Sequence, residues 1–158
     1  MTLSAVDLTH LRRCVGLAEE ALLDGDEPFG SLLVSADGAV LLEDRNRTKG
    51  GDQTRHPEFE ISRWAANNLG IEERRTATVY TSGEHCPMCA ASHGWVGLGR
   101  LVFAVSSAQL AGWLSDWGVP PPPVAALPVT AVVPGAVVDG PADELADAMR
   151  ELHRQRFA

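Results

Sequence analysis

A chain of 158 residues, 45% hydrophobic and 22% charged, has the length and balance of one soluble domain able to bury a core. Its formal charge of −8, with no cluster of Lys and Arg, argues against a general nucleic-acid binder. No apolar run of about 18 residues is present to span a membrane, and no basic stretch leads into an apolar leader. Three cysteines are not a disulfide framework, so a reducing, cytoplasmic setting is expected.

In chain order, Ser4 and Asp7 read as an N-cap and its reciprocal partner. Leu8, Leu11, Val15, Ala18 and Leu22 follow at helical spacing, and Asp24-Gly25 supplies a stop. Cys14 and His10 fall on this helix, as a small core residue and a surface residue. Pro28-Phe29-Gly30 leads into a strand over 31–35. Asp37-Gly38 signals a tight turn, and 39–43 returns as the partner of a hairpin. Residues 45–55 are polar and read as a loop carrying Asn46. A second helix spans 57–69, with Pro57 tolerated in its first turn and Gly70 as its stop.

A third strand spans 76–81, a third helix 87–97, a fourth strand 100–105 and a short helix 108–114. Strands three and four are expected to enter the sheet through right-handed crossovers. Gly118 to Pro123 is a stiff connector within the domain. Residues 127–133 are apolar and β-branched and are expected to form the fifth strand, with Pro128 at its start. Pro141 opens a last amphipathic helix with Leu145, Met149 and Leu152 on its apolar face. The expected architecture is a single α/β domain over 1–158, a three-layer α/β/α sandwich around a five-stranded sheet.

Chemistry concentrates in two short motifs. Cys86-Pro87-Met88-Cys89 follows a strand and opens a helix, so both thiols can grip one ion at a positive helix end. Alone this pattern also fits a redox dithiol. His56-Pro57-Glu58, at the start of another helix, tips the balance. One His and two Cys give zinc three protein ligands and leave a position for water, which is the catalytic arrangement. Such a water loses a proton near neutral pH and becomes a nucleophile toward electrophilic carbon. Glu58 is then a carboxylate free to carry protons between that water, a ring nitrogen and a leaving amine. The competing readings are a redox module with an incidental His56, and a structural zinc closed by His85 or His93.

These residues resemble the cytidine deaminase-like superfamily of zinc hydrolases, whose nucleobase signature is H-x-E followed by P-C-x-x-C. Within it the chain looks most like the branch of bacterial guanine deaminases and tRNA adenosine deaminases. The pieces that carry the likeness are Pro28-Phe29-Gly30, Asn46, Tyr80-Thr81-Ser82 with Glu84, the Cys86–Cys89 core and Trp95. The resemblance implies sheet order 2-1-3-4-5, with strand five parallel to four. It implies one Zn²⁺ held by His56, Cys86 and Cys89, with Glu58 as proton shuttle. It further implies that Asn46 hydrogen-bonds the base edge and that Phe29 and Trp95 wall a flat pocket. Asp116 lies where related guanine deaminases carry an acidic base-reading segment. Two departures stand out. Pro57 replaces a small residue between His and Glu. His85 replaces the usual Pro before the first Cys, which places it among the residues that could touch substrate.

The expected activity is hydrolytic removal of an exocyclic amine from a free nucleobase or related heterocycle such as guanine, cytosine or a triazine. The alternative is a tRNA adenosine deaminase, which the acidic chain disfavours because RNA demands phosphate neutralisation. No nucleic-acid or membrane partner is expected, and the resemblance implies a homodimer.

Overall fold

The computed structural model describes residues 2–158. Ser4 caps the first helix, α1 (Ala5–Leu23): its hydroxyl receives the Asp7 N–H at 3.1 Å, and the Asp7 carboxylate receives the Ser4 N–H at 2.9 Å. The hairpin follows as β1 (Gly30–Val34) and β2 (Val40–Arg45), turned through Gly38 at φ 91°. Then come α2 (Pro57–Asn68), a short α3 (Ile71–Thr76), β3 (Thr78–Gly83), α4 (Pro87–Val96), β4 (Leu101–Val105) and α5 (Ser107–Asp116). The chain ends with α6 (Val129–Val132), β5 (Val138–Asp139) and α7 (Asp143–Phe157).

The five strands form one sheet in the order β2-β1-β3-β4-β5. β1 is antiparallel to both neighbours, whereas β3, β4 and β5 run parallel. The chain therefore steps over β1 between β2 and β3, which run the same way with β1 between them. Strand side chains alternate between two cores, as the period of two requires. Leu32, Val34 and Tyr80 meet Leu11, Cys14, Leu17, Leu145 and Met149 on the face covered by α1 and α7. Leu33 and Val79 meet Ile61, Ala65, Ala90 and Val129 on the face covered by α2, α4 and α6. This is the expected three-layer sandwich. At Gly30 the sheet and α1 approach so closely that a Cβ would stand 2.4 Å from that of Leu17.

Two elements depart from the sequence expectation. Residues 127–133 do not form the fifth strand. Val129–Val132 make a helical turn, and the strand beside β4 is Val138–Asp139. The β-branched run loses to a tertiary anchor: Glu84 accepts the Val129 N–H at 2.9 Å, and the Val129 side chain is sealed in the core. Gly70 stops α2 as expected, but it also starts α3, because Glu73 turns back to accept its N–H at 2.7 Å.

A buried ionic knot ties α1 to the sheet. Arg100 grips both oxygens of Asp7, at 2.7 and 3.1 Å, and reaches Asp139 at 2.7 Å. The Tyr80 hydroxyl donates to Asp7 at 2.8 Å. Arg100 holds the Asp7 carboxyl well below the ordinary carboxylate range, while burial pushes the Tyr80 hydroxyl up to about 12. Replacing Asp7 by Asn leaves Tyr80 without its anion and Arg100 with Asp139 alone. It should cost about 3 kcal/mol, the low end for removing one partner of a buried pair, measured by urea denaturation at neutral pH. A depressed carboxyl contributes stability above its unfolded pKa of about 4 and loses it as pH falls through the native value. The gap between Asp7→Asn and the parent should therefore narrow below about pH 4.

Candidate metal centre and active site

The two helix starts converge as the motif spacing implied. His56 is the N-cap of α2 and Cys86 the N-cap of α4, each extended and each followed by Pro at the first helical position. α2 and α4 pack on the same sheet face, pinned partway along by a 2.9 Å hydrogen bond between the Ser92 and Ser62 hydroxyls. Their N-termini therefore open into one crevice.

There His56 Nδ1 stands 3.6 Å from Cys86 Sγ and 3.5 Å from Cys89 Sγ, and the three ligand atoms lie within 4.8 Å of one another. A tetrahedral zinc with sulfur at about 2.3 Å and nitrogen at about 2.0 Å places such atoms about 3.5 Å apart. The set fits that ion in both chemistry and spacing. Among the described residues no fourth His, Cys, Asp or Glu joins the group. Neither candidate closer joins the group. His93 Nε2 pairs with the Gly99 carbonyl at 2.8 Å, and the His85 ring lies edge-on to His93 at 5.3 Å.

The protonation pattern suits cation binding. The neighbouring Cys89 thiol holds Cys86 down to about 4, with His56 adding to the effect. Cys89 itself, beside Cys86 and buried, is pushed up and keeps its proton. The contact with Cys86 also raises the His56 imidazole. A cation that takes the place of that proton yields two thiolates and a neutral imidazole, the charge state zinc prefers.

Glu58 lies in the first turn of α2 and is 5% exposed. Burial raises its carboxyl. Its Oε1 is 3.0 Å from the Ser31 hydroxyl and 2.9 Å from that of Thr81. The two hydroxyls are 2.9 Å apart, and Thr81 can also donate to the Gly83 carbonyl at 2.9 Å. Each hydroxyl has one hydrogen and can turn. When Glu58 is ionised both can donate to it. When it is protonated it can donate to Ser31, with Ser31 turned to Thr81 and Thr81 to Gly83. The carboxyl is thus held in one place in either protonation state. Sequence reasoning missed Ser31 as a support for Glu58. Its signal was a small hydroxyl inside an otherwise apolar strand.

Residues 4–105 match the family described as the cytidine and deoxycytidylate deaminase zinc-binding region. The chain belongs to this family. It is 33% identical over 123 residues to a probable cytosine deaminase of Schizosaccharomyces pombe, covering 76% of this chain and 73% of that protein. It is 34% identical over 97 residues to a tRNA-specific adenosine deaminase of Agrobacterium fabrum, covering 60% and 63%. Its fold superimposes on the guanine deaminase of Nitrosomonas europaea with a TM-score of 0.68 at 19% identity, covering 98% and 87%. In this deaminase-family chain the His/Cys/Cys group falls inside the matched zinc-binding region.

The remaining sequence-selected residues divide. Asn46 is buried, its N–H bonded to the Phe29 carbonyl at 3.0 Å and its Oδ1 accepting from both the amide and hydroxyl of Thr48. Its Nδ2 has no protein partner. Phe29 is partly buried against Gly83, at the end of β3. Trp95 is not a buried wall beside it. The indole is 91% exposed and borders a surface hollow with Val132, Val133 and Pro134. Residue 95 falls on the outer side of α4, whereas Cys89, Ala90 and His93 face inward. Asp116, at the end of α5, is exposed and has no ion-pair or hydrogen-bond partner among the described residues. His85 is sealed against His93, and burial lowers its imidazole. Glu84 seats two helix starts, accepting the N–H of Ser107 and of Val129 at 2.9 Å each.

Proposed function

We propose that this chain is a zinc-dependent hydrolytic deaminase acting on a free nucleobase or related amino-heterocycle, with release of ammonia. The observation that carries the reading is Glu58: a buried carboxylate, held by two hydroxyls, beside a three-ligand group that no fourth His, Cys, Asp or Glu joins among the described residues. His56, Cys86 and Cys89 would hold the metal, which when bound supplies a Lewis acid that activates water. Glu58 would take one proton from the water and deliver it to a ring nitrogen, then take the second from the added hydroxyl and deliver it to the departing amine. Ser31 and Thr81 keep it aimed through those transfers. Phe29 would pack against the base and Asn46 would read its edge.

A small substrate is favoured over tRNA by how the cations are spent. Arg12, Arg13, Arg45, Arg47, Arg75, Arg100 and Arg154 each lie within 4.0 Å of a carboxylate. Arg150 and Arg156 lie over the rings of Trp117 and Phe157. With seven of its 13 Lys and Arg paired to carboxylates and a net charge of −8, the chain is poorly suited to neutralise phosphates. An ammonia-release screen over guanine, cytosine, adenine, melamine, their nucleosides and an anticodon stem-loop tests this. Turnover on at least one free ring is expected; turnover confined to the RNA would overturn it.

A further inference from the structure

His153 lies on the inner face of α7, wholly buried, and neither of its ring nitrogens has a hydrogen-bond partner among the described residues. A neutral imidazole carries one donor and one acceptor, and burying both unpaired is costly. The ring is boxed by aromatics. Phe29 meets it edge-on at 5.1 Å, Trp113 is tilted at 6.3 Å, and Phe157 is stacked at 6.1 Å. Phe29 connects this box to the candidate site. Its ring lies against Gly83, where β3 leads to Cys86, and its carbonyl receives the N–H of Asn46. Asn46 Nδ2 is buried and unpartnered as well. Two sealed polar side chains without a partner among the described residues thus adjoin Phe29, His153 at its ring and Asn46 through its backbone carbonyl.

We propose that His153 hydrogen-bonds the bound heterocycle and, together with Asn46, selects which ring is accepted. The inference rests on the deaminase reading above and names a specificity-determining residue for it. A neutral imidazole gives one hydrogen bond and takes one in diverging directions, so it can meet a single ring-edge N–H, ring nitrogen or carbonyl. Burial holds His153 in that neutral form, down to about 4. Trp113 and Phe157 are each partly exposed and lie in the last turns of α5 and α7, so the cover over His153 is made of helix ends. They are the groups that yield as a ring enters.

The test uses the full chain loaded with zinc, the variants His153→Phe and His153→Gln, and guanine, cytosine and adenine as probes. His153→Phe fills the aromatic box without a polar atom. It should keep its zinc and melt no lower than the parent, yet raise KM for the best of these bases about tenfold. It should also compress the ratio of kcat/KM between the best and second-best base. His153→Gln, which retains a donor and an acceptor, should recover most of the loss. Unchanged KM and ratios in an active His153→Phe overturn the proposal and leave the deaminase reading intact. A wild-type chain that binds zinc but releases ammonia from no heterocycle removes both. Should His153→Phe fail to fold, ¹⁵N-histidine NMR of the wild-type protein decides. The His153 ring signals should move on adding guanine, cytosine or adenine, and signals that stay still with all three overturn the assignment.

Discussion

Glu58→Gln is expected to lower turnover by roughly a thousandfold or more while leaving zinc content at the wild-type level. The amide has the shape of the carboxylate and can still accept from Ser31 and Thr81 through its oxygen, so the site should not collapse. What it loses is basicity. It cannot take a proton from water or deliver one to a ring nitrogen. General acid–base contributions commonly amount to about 10²–10⁴-fold, and a group serving two successive transfers belongs toward the upper end. A thousandfold loss corresponds to about 4 kcal/mol of transition-state stabilisation. The measurements are ammonia release under saturating base and metal analysis of the same preparation. Loss of zinc in this variant would make Glu58 a ligand rather than a shuttle, and unchanged turnover would remove it from the chemistry. The fall should appear in kcat more than in KM, because the charge is needed only once the substrate is in place.

The centre was legible from sequence because its parts are local. His56-Pro57-Glu58 and Cys86-Pro87-Met88-Cys89 each carry their own helix start, and Pro at the first helical position fixes where the ligand before it must stand. Two such starts packed on one sheet face leave little freedom for where the ligands meet. The strand order also followed, from the hairpin and from the resemblance. What could not be read depends on long-range contacts. Residues 127–133 have strand propensity throughout, yet the Glu84 carboxylate, far back in the chain, captures the Val129 N–H and turns them into a helix. Trp95 falls in the right helix but on its outer face, and only the packing of α4 shows that. Ser31 became a support for Glu58 only when β1 was laid against β3. His153 continues the apolar face of α7 set by Leu145 and Met149, and nothing local says that its neighbours offer no partner.

Cys89→Ala should abolish zinc retention and with it all measurable deamination, a larger effect than loss of Glu58. Changes outside the immediate ligand set already cost about 10–100-fold in metal affinity, and removing one of three protein donors costs more. The remaining pair, His56 and Cys86, cannot define a tetrahedral site. The consequence extends to stability, since a ligand that binds only the native state stabilises it in proportion to the logarithm of its occupancy. The parent should therefore melt higher with zinc than after chelation, and Cys89→Ala should melt at one temperature in both. Acid acts on the parent in the same direction. Protons compete with the metal for both sulfurs and for His56, so zinc affinity falls as pH is lowered. His56→Ala separates the metal centre from the redox reading. Both sulfurs remain in it, and a chain whose business is thiol exchange would still form and break a Cys86–Cys89 disulfide, at a potential shifted by the loss of the imidazole beside Cys86. A chain built around a cation loses zinc and turnover in His56→Ala as it does in Cys89→Ala. Retention of stoichiometric zinc by either variant would mean that the 3.5 and 3.6 Å approaches of that imidazole to the two sulfurs do not describe a ligand set.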